Sequence, residues 1–292
     1  MRAEAGELSP LTPDAAAAAA ALARACGWGH EAADWRARLA AGRGFAIRDG
    51  ARLVGAVGLH DAGPGLFMGM LLTDPGARGR GIGSALTRAC MSAAKAAGKP
   101  LGLFATALGR PIYERMGFEA PEGVGLTSWR GTGPGADGTG APAGPRRATP
   151  ADLPEILRLD ARATGQARAP LVADLLVRGP EFALVVEGGG GLAGFALGVG
   201  RSGTAAPGPI LAGMPETACA LLSAQLAAVA PGRPVRLDAP QGDGRLAELL
   251  GAAGLVPSDP IPFMIRPAPD GRRFRPWARP EEVFAALSAF GG

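Results

Sequence analysis

Residues 66–83 read LFMGMLLTDPGARGRGIG, and the order of residue types in that stretch sets the architecture expected of the chain. The apolar run 66–73 is long enough for a strand. Asp74-Pro75-Gly76 ends it, because proline lacks the amide donor and glycine permits a tight turn. Arg78, Gly79, Arg80, Gly81, Ile82 and Gly83 follow, and apolar positions Ile82, Ala85, Leu86, Ala89, Cys90 and Ala93 then recur with helical spacing. The pattern is therefore strand, glycine- and arginine-rich loop, helix N-terminus. The first turn of a helix has unpaired N–H groups and a partial positive charge. Glycines let a ligand approach the backbone, so the loop reads as an anion site in which Arg78 and Arg80 add charge-assisted bonds to phosphate oxygens.

Outward from this stretch the chain looks duplicated. Residues 44–49 (GFAIRD) and 52–58 (RLVGAVG) flank a turn at Asp49-Gly50, a hairpin signal. Residues 181–187 (EFALVVE) and 192–198 (LAGFALG) flank a glycine cluster in the same way. Later, 100–105 (PLGLFA) matches 234–239 (PVRLDA), and a short helical segment ends at Gly117-Phe118 in one half and at Gly254-Leu255 in the other. Residues 131–145, GTGPGADGTGAPAGP, carry no helical or strand period and suit a tether. The division expected is a domain over 1–130, a linker over 131–145, a second domain over 146–268, and a tail over 269–292. In that tail Phe284, Leu287 and Phe290 would share one side of a helix around Glu281–Phe290. Each half alternates helices with a hairpin and further strands, so the fold class is α/β (α+β), a mixed, mostly antiparallel sheet flanked by helices.

Composition narrows the function classes. The 292 residues are 47% hydrophobic and 19% charged, enough to bury two cores. Net charge is +4, yet only Lys95 and Lys99 among the 30 basic residues are lysine, and no basic cluster is interleaved with aromatics. Nucleic-acid binding is not expected. Three scattered cysteines and two histidines argue against a disulfide framework or a metal site. The N-terminus lacks the order of a signal peptide, and the Ala-rich run 15–25 is too short to span a bilayer, so the expected location is the cytoplasm, with no membrane partner.

Which phosphate ligand the loop takes depends on spacing. A Walker loop needs lysine, and the dinucleotide fingerprint would place its third glycine where Ser84 stands. Arg78-x-x-Gly81-x-Gly83 instead resembles the pyrophosphate loop of the GNAT superfamily of acyl-CoA-dependent N-acetyltransferases. Residues 106–118, TALGRPIYERMGF, resemble the closing motif of that superfamily, in which a tyrosine precedes x-x-x-Gly-Phe; Tyr113, the only tyrosine, falls on that position. The resemblance covers most of residues 6–130, and the duplicated plan resembles bacterial tandem GNAT proteins with a divergent C-terminal copy.

This resemblance implies an enzyme that moves acetyl from acetyl-CoA to a primary amine, such as that of a small metabolite, in a ternary complex without a metal. The 66–73 strand would pair with the pantetheine arm, with amides near Leu71, Leu72 and Thr73 beside the thioester. Residues Arg78, Gly79, Arg80, Gly81, Ile82, Gly83 and Ser84 would hold the pyrophosphate, with Thr106 and Arg110 nearby. Many relatives carry asparagine where Thr106 or its neighbours stand, which puts that contact in question. Tyr113 would protonate the leaving thiolate: a phenol of pKa about 10 can serve a thiol titrating near roughly 8.5. The base is open between water, a distant carboxylate, His30 and His60, and Trp28, His30 and His60 are acceptor-pocket candidates, as is Trp35. The second half lacks the signature: Gly213-Met214-Pro215-Glu216 carries no arginine, and Leu250 stands where Tyr113 would. Three alternatives stay open: an acyl-CoA-binding sensor without turnover, a protein lysine or N-terminus as acceptor, and the amine of a thiol precursor, as in mycothiol synthesis.

Overall fold

A computed structural model describes residues 6–133, 144–242 and 244–286. The first part of the chain forms β1 (Glu7–Pro10), α1 (Ala16–Ala25), α2 (Ala32–Ala40), β2 (Gly42–Asp49), β3 (Arg52–Asp61) and β4 (Leu66–Thr73). It continues with α3 (Ile82–Ala96), β5 (Leu101–Phe104), α4 (Arg110–Arg115) and β6 (Gly125–Thr132). The second part repeats that order: β7 (Arg146–Arg147), α5 (Leu153–Thr164), α6 (Ala169–Arg178), β8 (Leu184–Gly188), β9 (Gly191–Arg201) and β10 (Thr204–Ala212). Then come α7 (Pro215–Ala227), β11 (Pro234–Pro240), α8 (Gly244–Ala252) and β12 (Val256–Arg266), with one strand more, β13 (Val283–Ala285). The duplication read from sequence thus holds element by element, and the mixed, mostly antiparallel sheets flanked by helices match the fold class expected.

Two compact units emerge, and they do not end where the sequence suggests. One holds residues 6–121 together with Phe263–Arg275; the other holds the described residues of 122–262 together with 276–286. The reason is strand pairing. In the first unit the sheet order is β1-β2-β3-β4-β5, completed by residues 263–266 of β12, with Phe263 opposite Phe104 and Arg266 opposite Leu101. In the second unit β6 pairs antiparallel with β11, from Leu126 opposite Pro240 to Thr132 opposite Pro234. Each sheet therefore includes a strand contributed by the other half of the sequence: 263–266 of β12 at the edge of the first, and β6, between β11 and residues 256–262 of β12, in the second. Residues 131 and 132, assigned to the linker by composition, are part of β6, whereas Pro134 to Ala143 lie outside the described residues.

Packing in the first unit follows the periodicities. The α3 stripe of Ile82, Leu86, Cys90 and Ala94 is buried against Val57 and Leu59 of β3 and Leu66 and Met68 of β4. Each large apolar side chain so buried contributes about 1.5–3 kcal/mol. On the opposite face, α1 and α2 bring Leu22, Trp35 and Leu39 onto Ala46, Ala56, Met70 and Leu72. The alanines of α1 are what allow close approach there: Ala19 and Ala23 are fully buried. Among the described residues, no helix is long and apolar enough to cross a membrane.

The tail departs from expectation. Instead of a helix from Glu281, Pro280–Glu282 makes a single 3-10 turn and β13 follows, antiparallel to β10 with Ile210 opposite Ala285 and Leu211 opposite Val283. Within this unit, carbonyls of Ala163 and Thr164 accept from the Arg279 and Ala278 amides, and Glu282 bonds Arg162 and Arg279. An unpaired strand edge on β10 satisfies more backbone groups than an isolated helical turn would. Leu287 and Phe290 lie outside the described residues.

Candidate functional site

In the first unit β4 and β5 run parallel but pair only at Leu66 with Leu101 and Phe67 with Gly102. Beyond those pairs they diverge, leaving a wedge-shaped cleft with the β4 backbone along one wall. β4 also carries a bulge. Gly58 of β3 faces Gly69 and Ala56 faces Leu72, so Val57 opposes two residues, Met70 and Leu71. Met70 takes φ +55°, in the left-handed region that an L side chain seldom adopts. A bulge turns amides out of the ladder, here beside the cleft.

The end of β4 is tied down by Asp74, whose carboxylate accepts from the Gly76 amide (2.8 Å) and from Arg52 (2.6 Å). The loop then passes through Gly79 (φ +78°) and Gly81 (φ +83°), and Gly81 is the N-cap of α3. Glycine is required at both by backbone conformation. Gly83 is different. A Cβ there would sit 3.6 Å from Thr73 Oγ1 and 3.7 Å from Leu71 Cδ2, both cleft-lining residues, so its absence keeps the cleft open rather than relieving a clash.

The cleft measures about 560 Å³. It brings together Leu71, Leu72 and Thr73 from β4, Arg78, Gly79, Gly81, Ile82, Gly83 and Ser84 from the loop and α3, and Trp28, Thr106 and Tyr113. Five residues singled out from sequence are elsewhere. The Arg80 guanidinium bonds Asp49 at 2.6 Å, and that of Arg110 bonds Glu114 one turn along α4 at 2.7 Å. His30 is buried with its ring 5.6 Å from that of Trp28, and His60 is buried on β3 with its ring 5.7 Å from Phe67. Both histidines point into packed aromatic surroundings rather than the cleft. Trp35 is fully buried in the α1–α2 core.

Several lining residues escaped the sequence reading: Cys26, Thr87, Leu108, Gly109, Ile112 and Arg115. For Leu108, Ile112 and Arg115 a signal existed, since they follow one another at spacings of four and three through the segment that carries Tyr113. Thr87 follows from the α3 period: its hydroxyl donates to the Gly83 carbonyl at 2.8 Å. Cys26 gave none; it sits at the end of α1 and its thiol donates to the Thr73 carbonyl at 3.3 Å. Burial pushes that thiol above its ordinary pKa, with Arg78 pulling the other way.

Tyr113 stands on α4 with its ring 5.7 Å from Phe118, edge to face. Gly109 lets the ring lie flat against the turn before it, since a Cβ there would come within 2.9 Å of the ring. Burial, seconded by Cys90, pushes the phenol well above its ordinary value near 10. An ordinary phenol pKa therefore does not describe this group: it stays protonated over the whole working range. Beyond Tyr113 the cleft narrows to a neck of about 30 Å³ lined by Trp28, Met68, Met70, Leu71, Leu103 and Phe104.

The second unit has the same wedge and fills it. β10 and β11 pair in parallel only at Ala205 with Val235. β13 lies along β10, and the Ala286 amide donates to the Asp238 carbonyl of β11 at 2.7 Å. Phe284 is buried in that core, as is Leu250. The chain's own tail thus occupies, in the second unit, the groove whose counterpart is open in the first. Among the described residues, no group of three or more His, Cys, Asp or Glu side chains is placed to hold a metal ion.

Comparison with known proteins agrees with this fold. Residues 40–120 and residues 156–275 each match a family described as an acetyltransferase (GNAT) domain. A candidate acetyltransferase from Pyrococcus horikoshii is 17% identical with a TM-score of 0.74, over 98% of this chain and 95% of its own. A tandem GNAT protein from the clavulanic acid biosynthesis pathway is 20% identical with a TM-score of 0.64, over 89% and 98%. A GCN5-related N-acetyltransferase from Sphaerobacter thermophilus is 16% identical with a TM-score of 0.62, over 91% and 96%. None of the curated proteins matches in sequence. At such identities the structural likeness speaks to the fold.

Proposed function

The chain belongs to the GNAT acetyltransferase family, with two such domains in tandem, and we propose that its first domain moves an acetyl group from acetyl-CoA to a primary amine. The observation that carries this reading is the open β4–β5 wedge, floored by the Gly79–Gly83 loop and the α3 N-terminus, with Tyr113 inside it. Loop amides, the helix dipole and Arg78 hold the pyrophosphate, a site the dipole alone favours by about 0.3–1 kcal/mol. The backbone of Leu71 to Thr73, which lines the cleft, pairs with the pantetheine amides, and bulge amides polarise the thioester carbonyl. The neck of about 30 Å³ suits a two-carbon acyl group; a single water needs roughly 10–15 Å³ by the same measure.

The amine attacks the carbonyl carbon, the C–S bond breaks, and Tyr113 delivers its proton to the departing thiolate. With its pKa raised by burial, Tyr113 carries its proton when the thiolate forms, and the strongly basic phenolate left behind regains one from water. The reading gives the amine's own proton to water, because His30 and His60 lie outside the cleft. Direct attack is favoured over an acyl-enzyme: the Cys26 thiol is held neutral by burial and bonded to Thr73, and it is the thiolate that acts as nucleophile. A small metabolite amine in the cytoplasm is the acceptor in this reading. The test is thiol release from acetyl-CoA over a panel of primary amines. Release with one class of amine and intersecting initial-velocity lines are expected. Parallel lines with acyl-Cys26 would refute the ternary complex, and binding without release for any amine would make the domain a sensor.

A further inference from the structure

Arg38 lies on α2 between Trp35 and Leu39, on the face that packs onto the sheet, and it is fully buried. An arginine on the apolar face of an amphipathic helix is costly to desolvate and is retained only where its geometry is satisfied. The sequence makes room for it. Gly58 of β3 is the residue beneath: a Cβ there would fall 2.1 Å from Arg38 Cδ and 2.9 Å from Cγ. The side chain therefore lies flat across β3 and reaches β4, where its Nε donates to Met70 Sδ at 3.0 Å. Asp34, buried one turn earlier on α2, supplies opposite charge on the same helix.

Met70 is the strained residue of the β4 bulge, and the next residue, Leu71, lines both the cleft and its neck. An L residue at φ +55° persists only where its surroundings over-determine it. Released, Met70 relaxes toward extended backbone, the two-for-one opposition to Val57 is lost, and the amides beside the neck turn back toward β3. We infer that Arg38 is a positioning residue for acyl transfer: its guanidinium, laid across Gly58 onto Met70, holds the bulge whose amides polarise the thioester carbonyl. The inference rests on the function proposed above.

The decisive experiment is isotope-edited infrared spectroscopy of acetyl-CoA labelled with carbon-13 at the carbonyl, bound to the full chain, with affinity measured alongside. In the wild type the carbonyl band moves to lower frequency on binding. Arg38→Met, which keeps length and burial but not the donor, loses most of that shift while acetyl-CoA affinity stays within about threefold, since ground-state binding rests on the loop. Turnover with any accepted amine falls about 10²-fold, the effect of misplacing the reacting centre by about an ångström. Arg38→Lys recovers part of the shift. If Arg38→Met does not fold, Met70→Leu removes the acceptor sulfur at similar volume and must show the same loss. A folded variant with a wild-type band overturns the inference, as does a wild-type complex whose band matches free acetyl-CoA; in both cases the functional reading stands. A wild-type chain that binds no acetyl-CoA removes both.

Discussion

Tyr113→Phe separates chemistry from structure in this fold. The ring of Tyr113 packs edge to face on Phe118 and flat on Gly109, and phenylalanine keeps both contacts. Among the described residues the hydroxyl has no hydrogen-bond partner and lies in the cleft lining. Removing it therefore leaves no orphaned group behind, and the stability change should stay under about 1 kcal/mol. Acetyl-CoA affinity should persist, because the proposed pyrophosphate and pantetheine contacts come from the loop and β4. Turnover should fall by about 10²–10⁴-fold, the contribution of a positioned general acid, which corresponds to about 3–5 kcal/mol in the barrier. Thiol release with the best amine, a calorimetric titration and a thermal melt on the same preparation measure all three. Because the wild-type phenol is raised by burial, its turnover should show no alkaline loss near pH 10, where an ordinary phenol would be half ionised. Unchanged turnover in Tyr113→Phe would remove the residue from the mechanism, and lost binding would show that the packing argument is wrong.

Other expectations follow from the same geometry. Arg78→Glu should abolish acetyl-CoA binding in calorimetry, whereas Arg80→Glu should weaken it far less, since the Arg80 guanidinium is already bonded to Asp49; equal effects would mean both arginines face the ligand. Phe284→Ala should cost about 3–5 kcal/mol of second-unit stability by emptying the core position that Phe284 fills, with acetyl-CoA affinity unchanged. A variant that melts like wild type would show that β13 does not fill that groove. The Cys90 thiol is pushed up by burial to about 12 from 9.0. A raised folded-state pKa contributes stability that is whole below pH 9 and lost as pH rises toward 12. Thermal melts should therefore fall over that window, and Cys90→Ala should flatten the slope; an unchanged slope would assign it elsewhere.

Much of this was legible from local pattern. Asp49-Gly50 between apolar runs marked the first hairpin, and the strand–loop–helix order of residues 66–83 marked the site. Tyr113, four residues before Gly117-Phe118, marked the second motif. What stayed hidden depends on contacts between distant residues. β6 reads as the last strand of its own half, and its pairing with β11 and with residues 256–262 of β12 assigns it to the other unit. Residues 283–285 have helical apolar spacing with Leu287 and Phe290, yet the free edge of β10 makes them a strand. Arg38 looks like a solvated helix position until Gly58 and Met70 are brought beneath it. Cys26 enters the cleft because α1 ends there, which no spacing in the sequence records.

In the proposed function one cleft, in the first unit, binds acyl-CoA, and its counterpart in the second unit is filled by the chain's own tail. Calorimetric titration of the full chain with acetyl-CoA tests it most directly, because stoichiometry and affinity are read together. One site per chain, lost in Arg78→Glu, is the predicted result; two sites, or none, would contradict it.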